Sequence, residues 1–233
     1  MCFRRKELEF VDEVKNPDST KTVFYFIING GAVIFQETQD AWFKKIKPAL
    51  DLSTADFLVY KYQPEMYSYK VDGLPEAINR ILKERGLNRE GVDLVISGKS
   101  LGGPIAYNLM RRKIGFLEKF KTVSIITVDA HSLPPADGGY KHDKWYGPVR
   151  CIKNEKCKDL SGYYDLAYLE KWLYLRDLFW YNIYQRRSPI KGYAFSALSR
   201  NNIFLNDEDI AHQNISRHKE TIALFLKAFN KIL

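Results

Sequence analysis

The chain has 233 residues, 45% hydrophobic and 27% charged, a length and balance that fit one folded domain (1–233) with its own core and exclude a disordered chain. Its net charge of +8 is dispersed in short groups such as Arg4-Arg5-Lys6, Arg111-Arg112-Lys113 and Arg186-Arg187, which reads as a solvated basic surface and leaves no nucleic acid expected as a partner. Three cysteines, Cys2, Cys151 and Cys157, make neither a disulfide framework nor a CxxC metal pair, and with no signal-like start and no run of ~18 apolar residues the sequence reads as cytoplasmic, without a transmembrane segment.

In chain order, Thr22 to Ile28 (TVFYFII) is a β-branched and aromatic run ended by Asn29-Gly30-Gly31, which predicts a buried strand entering a tight turn. Thr38 to Leu50 has helical spacing, with Thr38 placed as N-cap and Pro48 near the end. Phe57 to Tyr62 predicts a second strand. Leu74 to Arg85 repeats apolar residues at Leu74, Ala77, Ile78, Ile81 and Leu82, one face of a helix, and Gly86 follows as its stop. Asp93 to Ser97 is a strand, Leu101 to Lys113 a helix, and Thr122 to Val128 a further strand.

Strands and helices alternate, and parallel neighbours need a crossover that usually contains a helix, so the fold class is α/β, a mostly parallel central sheet flanked by helices. From about residue 130 to 177 the chain departs into a loop-rich and then helical excursion, Pro-, Gly-, Lys- and Asp-rich up to Asp159 and aromatic from Gly162. Phe179 to Tyr184 (FWYNIY) predicts a strand, Lys191 to Asp209 reads as loop, and Glu220 to Leu233 as a closing amphipathic helix.

Between the strand DLVIS and the helix LGGPIAYNLM lies Gly98-Lys99-Ser100-Leu101-Gly102, a match to G-x-S-x-G in the strand–turn–helix setting that pattern requires. Such a turn lifts a serine hydroxyl above the strand end, flanked by glycines because side chains there would collide with backbone. Gly98-Lys99-Ser100 also looks like the tail of a phosphate-binding loop. That motif needs a glycine five residues before Gly98, where Asp93 stands instead, so a nucleotide-binding protein is a lesser alternative.

Through GKSLGGPIA the sequence resembles the α/β-hydrolase superfamily, particularly its small lipases and esterases, over about Thr22 to Val128. The resemblance implies an α/β-hydrolase fold with a reduced N-terminal part, and a serine hydrolase acting on carboxylic esters, with a small-molecule ester or lipid as substrate and no cofactor or metal. It implies Ser100 as nucleophile and a triad in the chain order serine, acid, histidine. Asp129, at the end of the strand after the nucleophile's unit, is the implied acid; the next strand leads into Gln185-Arg186-Arg187 with no carboxylate. Of four histidines, His212 occupies the loop before the closing helix and is the implied base, with His218 as the alternative. His131 and His142 read as pocket-lining or structural and as exposed. The implied oxyanion hole comprises the N–H of Leu101 and an N–H from Gly30-Gly31, where Asn29 stands in place of the histidine often found before those glycines. The rival of another class is a non-catalytic binding or scaffold protein on the same fold.

Overall fold

In the computed structural model, the residues described are 8–30, 36–64, 71–100, 102–130, 179–185, 202–212 and 214–230. They contain strands β1 (Glu9–Val14), β2 (Thr22–Ile28), β3 (Asp56–Tyr62), β4 (Val92–Lys99), β5 (Thr122–Val128), β6 (Phe179–Tyr184) and β7 (Asn202–Phe204). Helices are α1 (Gln36–Asp51), α2 (Leu74–Glu84), α3 (Gly102–Arg112), the single turn α4 (Ile114–Leu117) and α5 (Lys219–Asn230). The excursion at residues 131–178 and the cysteines lie outside the described residues, as do His131 and His142.

The strands form one sheet in the order β1-β3-β2-β4-β5-β6-β7, parallel throughout except for the antiparallel edge pair β1 and β3. Continuous apolar runs such as β2 follow from burial of both faces, because alternate side chains point to opposite sides. Phe24, Phe26 and Ile28 join the core under α2 and α3, while Val23, Tyr25 and Ile27 join the other core, under α1 and α5. On that second face Trp42 of α1 stacks on Phe225 of α5, 5.2 Å between ring centroids.

The helix of Leu74, Ala77, Ile78, Ile81 and Leu82 buries that face as its period requires. It stops at Gly86, whose φ of +69° lets the Leu87 N–H return to the Leu82 carbonyl at 2.8 Å. Two expectations need correction. Thr38 is not the N-cap of α1, since the helix already includes Gln36. The stretch from Lys191 to Asp209 is not all loop, since β7 adds to the sheet edge by pairing Asn202–Phe204 with Asn182–Tyr184. The edge strand β1 (EFVDEV) was not legible in the sequence: its alternating acids and half-exposed residues make no apolar run, and it takes its shape from pairing with β3. Among the described residues no helix is long and apolar enough to cross a membrane.

Candidate active site

Parallel strands end at a common edge, and β2, β4 and β5 bring Asn29, Ser100 and Asp129 to it. Ser100 directly follows β4 and has φ +53°, a left-handed conformation that costs a residue with a Cβ roughly 1 kcal/mol or more unless its surroundings hold it. They do hold it. The Ser100 N–H donates to the Val128 carbonyl at 3.0 Å, extending the β4–β5 ladder by one residue, and the Ser100 carbonyl accepts from Gly103 N–H at 3.2 Å, opening α3. Ser100 itself is partly exposed.

The two glycines of the motif are steric necessities here. A Cβ at Gly98 would overlap the Gly102 carbonyl, and a Cβ at Gly102 would overlap the Ile28 carbonyl. The start of α3 therefore lies directly against the ends of β4 and β2, which brings the serine turn beside Asn29-Gly30. Gly103 is constrained in the same way by Ala130.

Asp129, one residue after β5, repeats the left-handed turn with φ +47° and is fully buried. A buried carboxylate needs compensation, and among the described residues this one has three donors. The Gln185 backbone N–H reaches Oδ1 at 3.1 Å, the Gln185 side-chain Nε2 reaches Oδ2 at 2.8 Å, and His212 Nδ1 lies 2.5 Å from Oδ2. With a carboxylate oxygen facing it, Nδ1 carries the ring hydrogen, which makes Nε2 the basic nitrogen of the imidazole. His212 is buried, in the segment between β7 and the 3-10 turn Ile215–Arg217.

The structure therefore joins Asp129 to His212 and sets Ser100 on the strand end next to Asp129. It does not bring His218 there: His218 Nε2 pairs with Asp207 Oδ2 at 2.6 Å on the exposed side, and its Nδ1 accepts from Glu220 N–H at the start of α5. Gly30 sits at the end of β2 with its carbonyl bound by the Gln63 side chain at 3.1 Å. Leu101 and Gly31 lie outside the described residues. Asp93, which displaced the phosphate-loop reading, is buried in β4 with its carboxylate accepting from the Thr122 hydroxyl at 2.7 Å. Among the described residues no three His, Cys, Asp or Glu side chains gather as a metal site.

Two residues at this edge escaped sequence reasoning. Gln185 stands where a triad acid would be expected, and a buried amide able to grip a neighbouring acid carries no local pattern. Lys99, the variable residue before the serine, is only 2% exposed and lies on the sheet face of Val95 and Val128. Burial pushes its ammonium down to about 8, against partial support from Asp129 and with a further push from Arg217.

Neither a family model nor a curated protein sequence matches the chain. Solved structures do match its arrangement of strands and helices. Est1E from Butyrivibrio proteoclasticus is similar with a TM-score of 0.51 and 12% identity, over 96% of this chain and 99% of its own. The chain has the α/β-hydrolase fold. Esterase PE8 is similar to this hydrolase-fold chain with a TM-score of 0.50 and 8% identity, over 97% and 100% of the two chains. Esterase Est22, in a structure with p-nitrophenol, gives a TM-score of 0.51 and 11% identity over 97% and 80%.

Proposed function

We propose that the protein is a serine hydrolase acting on carboxylic esters of small molecules or lipids, through Ser100, His212 and Asp129 and an acyl-enzyme intermediate, with no cofactor. The observation that carries this reading is the buried His212–Asp129 hydrogen bond, formed across 83 residues of sequence beside a serine held in a left-handed turn. The esterase names of the structural neighbours support the choice of ester as substrate class.

In this mechanism His212 Nε2 takes the Ser100 hydroxyl proton as Oγ bonds to the ester carbonyl carbon. Asp129, its carboxylate held in place by the two Gln185 donors, orients the ring and stabilises the imidazolium that forms. The oxyanion is held by the N–H of Leu101 and by an N–H of the Gly30-Gly31 turn. The tetrahedral adduct collapses with the alkoxide leaving and taking the proton from His212. Water, deprotonated by the same imidazole, then attacks the acyl-enzyme, and the carboxylic acid departs with Ser100 restored.

Turnover of a short p-nitrophenyl ester tests this. Ser100→Ala is expected to lower kcat by at least about a thousandfold with the fold intact by circular dichroism. Full activity in that variant would place the chemistry elsewhere, and an inactive wild type would favour a binding protein.

A further inference from the structure

Asn214 stands at the N-cap position of the 3-10 turn Ile215–Arg217, where an asparagine ordinarily answers N–H groups ahead of it in the chain. Here its side chain turns back. Oδ1 accepts from the Ala211 N–H at 2.7 Å and Nδ2 donates to the Asp209 carbonyl at 2.7 Å. An N–H can be met only by an acceptor and a carbonyl only by a donor, so these two bonds fix which way the amide faces.

The bonds fall on the peptide units that lead into His212. The unit joining residues 209 and 210 has its carbonyl on Asn214 Nδ2 and its N–H on the Asp207 carbonyl at 3.2 Å. The unit joining 210 and 211 has its N–H on Asn214 Oδ1. The unit joining 211 and 212 has its carbonyl on the N–H groups of Asn214 and Ile215, at 3.1 and 3.0 Å. A peptide unit is planar, so a bond at either end restrains the whole of it. The frame from which these bonds hang is firm. Ile215 is fully buried in the core under α1 and α5, its carbonyl accepts from the Thr221 hydroxyl at 2.7 Å, and Lys45 of α1 donates to the Arg217 carbonyl at 3.3 Å.

Placement matters more here than strength. Asn214 is exposed, and a hydrogen bond that replaces one to water adds only about 1 kcal/mol to stability. The imidazole two residues earlier is buried and meets the Asp129 carboxylate at 2.5 Å, a contact that tolerates little swing of the backbone carrying it. We infer that Asn214 is a positioning residue for His212: by bridging the Asp209 carbonyl and the Ala211 N–H, its side chain fixes the direction in which the backbone delivers the imidazole to Asp129. The inference rests on the function proposed above. Its consequence is specific, because a misplaced base slows proton transfer and leaves binding of the ester nearly untouched.

The experiment uses the full chain with a p-nitrophenyl ester as substrate. Asn214→Ala removes both side-chain bonds, and Asn214→Asp keeps the acceptor for Ala211 N–H but loses the donor to Asp209. Asn214→Ala is expected to lower kcat by about ten- to a hundredfold with KM within about twofold, and Asn214→Asp to fall between it and wild type. The same substitutions are then made in His212→Ala. There they are expected to change the residual rate by less than about twofold, because Asn214 acts through a ring that is no longer present. If Asn214→Ala fails to fold, Asn214→Asp is carried through the same pair of backgrounds. An equal fall with and without His212 would show a loss of general structure, a fall in kcat/KM carried by KM would show a part in binding, and an unchanged kcat would show no part at all. Each of these overturns the role of Asn214 while leaving the Ser100 mechanism standing. A wild type that does not turn over ester overturns both.

Discussion

Two histidine–aspartate pairs in this chain have nearly the same length, 2.5 Å for His212–Asp129 and 2.6 Å for His218–Asp207, and entirely different surroundings. The first is buried against a strand end, where its carboxylate has two further donors; the second faces water, where an ion pair is worth little. Accordingly, His212→Ala is expected to reduce ester kcat by three orders of magnitude or more, and His218→Ala to keep it within about threefold. The reverse ranking would exchange their roles. Lys99 supplies a prediction of another kind. Its ordinary value of 10.5 is pushed down to about 8 by burial, so below about pH 8 it is charged in both folded and unfolded chains and its cost is constant. Between about 8 and 10.5 the unfolded chain holds a proton that the folded chain has released, and the cost is relieved as pH rises. Wild-type stability relative to Lys99→Met should therefore climb by about 2 kcal/mol from pH 7.5 to 10, read from urea unfolding of both proteins. A difference that stays flat with pH would contradict the buried, depressed lysine.

At the scale of elements, the site exists because α3 begins against the carbonyl ends of β2 and β4. Helix propensity alone says that Gly102→Ala should stabilise α3 by up to about 1 kcal/mol. Packing says the opposite, since the new methyl would run into the Ile28 carbonyl, which cannot retreat without spoiling the pairing of Ile28 with Gly98. A loss of about 2 kcal/mol or more in urea unfolding, with loss of ester turnover, is expected. A stabilised variant would mean that the helix start has room to spare. The same junction explains what was legible in the sequence. β2, β4, β5 and β6 each declare themselves as short apolar runs because both their faces are covered, and Gly98 and Gly102 declare the turn because contact leaves no alternative. β1 and β7 do not, because edge strands take their shape from a neighbour rather than from a pattern of their own. Gln63 and Gln185 act across gaps of 33 and 56 residues, and nothing local marks a glutamine as a clamp.

For the molecule as a whole, one sheet carries Asn29, Gln63, Ser100 and Asp129 to a single edge at the ends of neighbouring parallel strands. His212 is delivered onto that edge by the return of the chain from β7 toward α5. This geometry is expected to activate the Ser100 hydroxyl above every other serine in the chain. A fluorophosphonate reagent followed by intact mass and peptide mapping measures that directly, because phosphonylation at this speed needs both the imidazole and the oxyanion donors. The wild type is expected to gain one adduct, mapped to Ser100, with labelling slowed at least a hundredfold in His212→Ala. No adduct, or one on another residue at the same rate in both proteins, would mean that Ser100 is not the activated nucleophile.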